Sequence, residues 1–228
     1  NDQWIKRILK DLSKEELRGD MIMKLQTAID RVTLSKAEEM VKTFAGKTDI
    51  IEIGTSLIKD YGLFALKKLN EYKKDSLLLA DLKTCDEGAY EFQQGYEQGF
   101  DILTVMGSSS GETLEKCYEV CQSYEKYMLI DLLECSTEKI HEIADFKNAI
   151  YCLHTSVDKS GDHNIIEEIQ KFKQEFPQIQ KICVAGGITL EVCKEVKKED
   201  IQSVIVGSAI TKSKNMAKEL MKFREVVK

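Results

Sequence analysis

Short apolar runs recur about every 25 residues along this 228-residue chain, each separated from the next by an amphipathic stretch. A short apolar run bounded by polar or glycine-containing residues reads as a strand buried on both faces, the habit of parallel sheets. The strand candidates are Lys24–Ile29, Ile50–Ile53, Leu77–Leu82, Ile102–Met106, Met128–Leu132, Ile150–Leu153, Ile182–Ala185 and Ser203–Val206. The helix candidates between them are Ser35–Phe44, Leu63–Tyr72, Ala89–Gln98, Glu112–Tyr124, Thr137–Asp145, Ile165–Phe176, Leu190–Lys197 and Lys214–Val227. Ser35 with Glu38 three residues on reads as a capping box at the first of these. Strict strand–helix alternation at this length predicts a closed (β/α)8 TIM barrel. A doubly wound open sheet is the alternative, but no GxGxxG turn follows the first strand. A single proline leaves no linker, so residues 23–228 read as one barrel domain. Residues 1–22 stand outside the pattern. Trp4, Ile5, Ile8, Leu9 and Leu12 there fall at helical spacing, predicting a short helix on the barrel floor or on a neighbouring subunit. Because Met21 or Met23 would make a natural start, that stretch reads alternatively as a leader.

Charge and composition narrow the partners. With Lys plus Arg at 33 and Asp plus Glu at 39, the formal charge is −6, which predicts no nucleic-acid binding and no anionic membrane surface. No apolar run approaches the roughly 20 residues of a membrane span, and no signal-peptide core opens the chain. Seven scattered cysteines form no CxxC, so neither a disulfide framework nor a zinc ribbon is indicated. The expectation is a reduced, cytoplasmic protein.

A barrel of this kind carries its chemistry at the C-terminal ends of its strands, and residues of one parity along a strand share a face. Leu77, Leu79, Asp81 and Lys83 share a parity in the third strand, and Ile50 and Glu52 in the second. Asp30 ends the first strand, Asp131 stands above Leu129, and His154 stands above Cys152. Leaving acids, a lysine and a histidine on an inward rim is costly unless they pair or bind an ion. Glu52 and Asp81 are hard oxygen ligands on neighbouring strands, suited to Mg²⁺, with Mn²⁺ as the alternative. Lys83, close to Asp81 and Asp86, is expected to stay protonated, which argues against a Schiff-base role. His154 is the proton-shuttle candidate, whereas His141 and His163 read as surface residues. The turns at Gly186-Gly187 and Gly207-Ser208 follow the last two strands, where barrels commonly hold phosphate on bare backbone N–H groups.

The segment Ala80-Asp81-Leu82-Lys83-Thr84-Cys85-Asp86-Glu87-Gly88 resembles the DxKxxDxG signature of the orotidine 5′-monophosphate decarboxylase suprafamily. With Ile51-Glu52-Ile53-Gly54-Thr55 before it and Ala185-Gly186-Gly187-Ile188 after it, the chain is similar to the sugar-phosphate branch from about Met23 to Val227. That branch holds 3-hexulose-6-phosphate synthases and 3-keto-L-gulonate-6-phosphate decarboxylases. The resemblance implies a homodimer with active sites at the interface and Mg²⁺ stabilising an enediolate. It assigns Glu52 and Asp81 to the metal, and Asp30 and Lys83 to substrate hydroxyls. Asp86 would reach into the partner's site, and His154 would move the proton. Three positions separate the two activities. Asp131, Val157 and Ala185 resemble the synthases, where the decarboxylases carry Glu, Arg and Thr. The implied reaction is an aldolase-type lyase condensation of formaldehyde with the ketose phosphate D-ribulose 5-phosphate, giving 3-hexulose 6-phosphate. Decarboxylation of 3-keto-L-gulonate 6-phosphate is the second reading, and a non-catalytic phosphosugar-binding protein the third.

Overall fold

A computed structural model describes residues 22–155 and 164–228. The 1–22 extension, apart from Ile22, and Val157 therefore lie outside the described residues. Eight strands, β1 (Lys24–Ile29), β2 (Ile50–Ile53), β3 (Leu77–Thr84), β4 (Ile102–Met106), β5 (Tyr127–Asp131), β6 (Ile150–His154), β7 (Ile182–Ala185) and β8 (Ser203–Val206), pair in parallel and in order. β1 pairs with both β2 and β8, closing the barrel. The outer helices are α1 (Leu34–Phe44), α2 (Thr55–Leu66), α3 (Gly88–Glu97), α4 (Gly111–Ser123), α5 (Thr137–Ile143), α6 (Ile165–Glu175), α7 (Leu190–Val196), a short α8 (Ser208–Thr211) and α9 (Met216–Val227). This is the predicted (β/α)8 architecture.

Strand parity separates two cores. Leu25, Ile29, Ile51, Ile53, Leu78 and Ala80 point outward into the layer between sheet and helices, beside Phe44, Leu57 and Phe223. Ile50, Leu79, Ile102, Leu129, Ile150, Cys152, Cys183 and Ala185 fill the barrel interior. An apolar floor thus lies beneath whatever the same parity places at the C-terminal rim.

Several element boundaries differ from the sequence reading. α1 is capped by Thr33, whose hydroxyl accepts from the Lys36 N–H at 3.3 Å, and not by a Ser35–Glu38 box. Glu38 instead takes Lys42 at 2.8 Å within α1 and Lys68 at 2.9 Å, the latter tying α1 to the turn after α2. The helix expected at Leu63–Tyr72 begins at Thr55, directly after β2. It bends at Gly62 (φ 70°, ψ 157°) and ends in a tighter turn over Lys67–Glu71. Only glycine reaches that backbone region at low cost, so an interrupted periodicity concealed the first half of α2. β3 runs on to Thr84. Among the described residues no helix is long and apolar enough to cross a membrane, and all seven cysteines are free.

Candidate active site

At the rim, Asp131 joins three strands. It ends β5 almost fully buried, accepting from Lys83 Nζ at 2.6 Å and facing His154 Nδ1 at 2.9 and 3.1 Å. The Leu133 N–H adds a third donor at 3.0 Å. Burial alone would raise this carboxyl, but the His154 hydrogen bond and the Lys83 charge outweigh it and hold it down to about 2. A carboxylate that stays ionised fixes the imidazole tautomer. Nδ1 must carry the proton to make the bond, which leaves Nε2 free to exchange one with a substrate. Burial would likewise lower Lys83, yet Asp81 and Asp131 override it and raise it, so the side chain is an ammonium. The expected cation is therefore in place. Its second partner, however, is Asp131 and not Asp86, because barrel closure puts the end of β5, one strand beyond β4, on the same inward rim as β3, whereas Asp86 lies exposed past the end of β3.

Glu52 and Asp81 lie on the same rim one strand apart. Glu52 is 8% exposed, and its Oε2 accepts from Gln26 Nε2 at 2.6 Å. Burial, followed by the charge of Asp81, pushes Glu52 up to about 8. A buried carboxylate whose ionisation a neighbouring carboxylate opposes in this way makes a site that a divalent cation would relieve. The donor set fits Mg²⁺: hard oxygens only, and too few to complete a shell without water and substrate. Among the described residues no group of three or more His, Cys, Asp and Glu side chains is arranged to hold a metal unaided. Asp81 is oriented by two hydroxyls, Thr55 Oγ1 donating to Oδ2 at 2.7 Å and Thr104 Oγ1 to Oδ1 at 2.9 Å.

Asp30 is exposed just past β1, and its Oδ1 accepts from Ser56 Oγ at 2.8 Å. Gly54 lies against it so closely that a Cβ there would sit 2.1 Å from Asp30 Oδ1. Glycine at the β2–α2 junction is thus what lets the acid lie over the rim. Gly186 (φ 102°) faces the Thr155 carbonyl, where a Cβ would approach to 2.5 Å, and Gly187 (φ 63°) has open space. Gly207 precedes Ser208 at the start of α8. Ala185 ends β7 in register with His154. A cleft of about 370 Å³ opens past the ends of β5 and β6, lined in part by Leu132, Cys135, His154 and Thr155. Asp86 is exposed, its Oδ1 accepting the neighbouring Glu87 N–H at 2.8 Å. It is not brought to the Lys83–Asp131–His154 cluster of its own chain. His141 is half exposed and faces Glu175, as a surface residue should.

Gln26, Thr55, Ser56 and Thr104 escaped the sequence reading. Neutral and common, they carry no signal on their own. Strand parity with Asp30 was the one pointer to Gln26, and Thr55 was visible only as the residue after Gly54.

The profile of the Orotidine 5′-phosphate decarboxylase / HUMPS family matches residues 23–223. A 3-hexulose-6-phosphate synthase of Bacillus subtilis (strain 168) is 32% identical over 208 residues, covering 90% of this chain and 99% of that protein. The crystal structure of 3-hexulose-6-phosphate synthase from Salmonella typhimurium is similar at a TM-score of 0.83 and 28% identity, covering 90% of this chain and 98% of that one. A 3-keto-L-gulonate-6-phosphate decarboxylase from Vibrio cholerae gives a TM-score of 0.78 at 22% identity, over 90% and 97% of the two chains. At that identity the likeness concerns the fold alone.

Proposed function

The chain belongs to the Orotidine 5′-phosphate decarboxylase / HUMPS family, and we propose that within it the protein is an aldehyde-lyase of the 3-hexulose-6-phosphate synthase type. Its reaction would join formaldehyde to D-ribulose 5-phosphate, reversibly, to give 3-hexulose 6-phosphate. The observation that carries this reading is Asp131, which grips His154 Nδ1 and Lys83 Nζ at once beside the Glu52–Asp81 pair. The named relatives support it.

The phosphate is held by backbone N–H groups at Gly186-Gly187 and Gly207-Ser208. Asp30 takes a hydroxyl at the β1 exit. His154 Nε2 removes a C1 proton of the ketose, its imidazolium stabilised through Nδ1 by Asp131. The Lys83 ammonium faces the oxygen on which charge collects in the enediolate, an electrostatic contribution of the kind that dominates such sites. C1 then attacks formaldehyde, and the alkoxide formed is protonated from the imidazolium. Mg²⁺, held by Glu52 and Asp81, would lower the cost of that developing oxygen charge. Asp131 and Ala185 match the synthases, and Val157 stands where an arginine would supply a fixed cation to orient a decarboxylation intermediate, which favours the aldol reaction over 3-keto-L-gulonate 6-phosphate turnover.

Asp86 completes the partner's site in a homodimer. In favour of this, Asp86 faces away from its own cluster, and the aromatic Phe64 and Tyr90 are 72% and 62% exposed. Seven free thiols suit a reducing, cytoplasmic setting.

The test is formaldehyde consumption by purified protein with D-ribulose 5-phosphate and Mg²⁺, in parallel with excess EDTA. Consumption that EDTA stops is the expected result. Persistence of formaldehyde in both tubes would remove the synthase reading, and 3-keto-L-gulonate 6-phosphate would be supplied next.

A further inference from the structure

β3 slips register against β4 where the chemistry lies. Ala80 pairs with Leu103 and Thr84 with Val105, so Asp81, Leu82 and Lys83 stand opposite Thr104 alone. A bulge of this kind re-aims side chains and strands backbone donors away from the ladder. Lys83 absorbs the excess chain at φ 50°, a left-handed conformation uncommon for a residue with a side chain. Its N–H donates to Thr104 Oγ1 at 2.9 Å, and the same hydroxyl donates to Asp81 Oδ1, also at 2.9 Å. Thr104 is 3% exposed.

We propose that Thr104 is the positioning residue that couples Asp81 to Lys83. A hydroxyl has one proton. One lone pair accepts the Lys83 N–H and the proton goes to Asp81 Oδ1, so one side chain fixes both the strained backbone beneath the ammonium and the orientation of the carboxylate. The Thr55 hydroxyl shares its one proton between Asp81 Oδ2 at 2.7 Å and the Asp81 carbonyl at 2.8 Å, which leaves Thr104 the hydroxyl whose proton goes to the carboxylate alone. Leu103 and Val105 on either side face outward into the sheet–helix layer, which makes Thr104 the β4 residue available for this task. The inference rests on the reading of Asp81 as a metal ligand and of Lys83 as the cation facing the substrate.

The test compares Thr104→Val, which keeps the shape and removes the hydroxyl, with Thr104→Ser, which keeps the hydroxyl. Two readouts are taken on each folded protein: Mn²⁺ affinity by electron paramagnetic resonance without substrate, and the acetylation rate of Lys83 by acetic anhydride, followed by mass spectrometry. Thr104→Val is expected to weaken Mn²⁺ binding by about tenfold or more, the usual effect of losing an outer-shell partner, and to acetylate faster at Lys83. Thr104→Ser is expected to restore both. Should Thr104→Val fail to fold, Thr104→Ala takes its place. Wild-type Mn²⁺ affinity in the valine variant, or equal losses in valine and serine variants, would overturn the proposal. A wild type that binds no Mn²⁺ would instead defeat the metal reading. Lys83 acetylation would then decide, and an unchanged rate in Thr104→Val would overturn the role of Thr104.

Discussion

Asp131 and Glu52 are both buried carboxylates, and their surroundings send them in opposite directions. Burial works against the charge on each, but Asp131 has Lys83, His154 and the Leu133 N–H as donors, whereas Glu52 has Asp81 for a neighbour. For Asp131 the carboxyl falls from an ordinary 3.8 to about 2. Its contribution to stability is therefore complete above about pH 4 and is lost as pH falls through about 2, on the order of 2 kcal/mol. Urea unfolding of Asp131→Asn and wild type should show a stability gap at pH 7 that narrows toward pH 2; a gap constant with pH would contradict the pairing. For Glu52 the sign reverses. Because its folded value is raised from 4.5 to about 8, ionisation costs stability as pH rises through that range. In EDTA, Glu52→Gln should melt no lower than wild type at pH 6 and progressively higher by pH 9, while its turnover with Mg²⁺ disappears. Near-normal turnover would remove Glu52 from the metal site.

Individual elements are set by their ends and by glycines. Thr33 and Ser35 both precede an apolar-periodic stretch, and only the three-dimensional entry of the chain into α1 decides which hydroxyl meets an orphan N–H. Thr33→Ala should cost about 1 kcal/mol in urea unfolding, and Ser35→Ala should stay within about 0.5 kcal/mol. Equal losses would mean the cap is shared. The same dependence on local geometry explains α2. Its apolar spacing was readable after Leu63, but the turn through Gly62 shifts the buried face, so Leu57 and Leu66 lie on separate helical segments. At β3, the bulge opposite Thr104 extends the strand to Thr84, beyond the point where alternation ends.

In the whole molecule, the proposed homodimer rests on exposed Phe64 and Tyr90 and on the exposed Asp86. Sedimentation is expected to give a dimer, and a Phe64→Asp, Tyr90→Asp double variant to give a monomer with little turnover; a fully active monomer would place Asp86 outside the reaction. The barrel itself was legible in the chain, because eight apolar runs of strand length alternating with amphipathic segments leave few other ways to bury their faces. So was the rim, since strand parity alone puts Glu52, Asp81, Asp131 and His154 above an apolar interior. Tertiary structure decided the pairings. That Lys83 is held by Asp131 and not by Asp86, and that Gln26, Thr55 and Thr104 orient the acids, depends on register between strands distant in sequence. Parity states which face a side chain takes, but a hydrogen bond needs its partner within about 3 Å, and only closure of the barrel sets those distances.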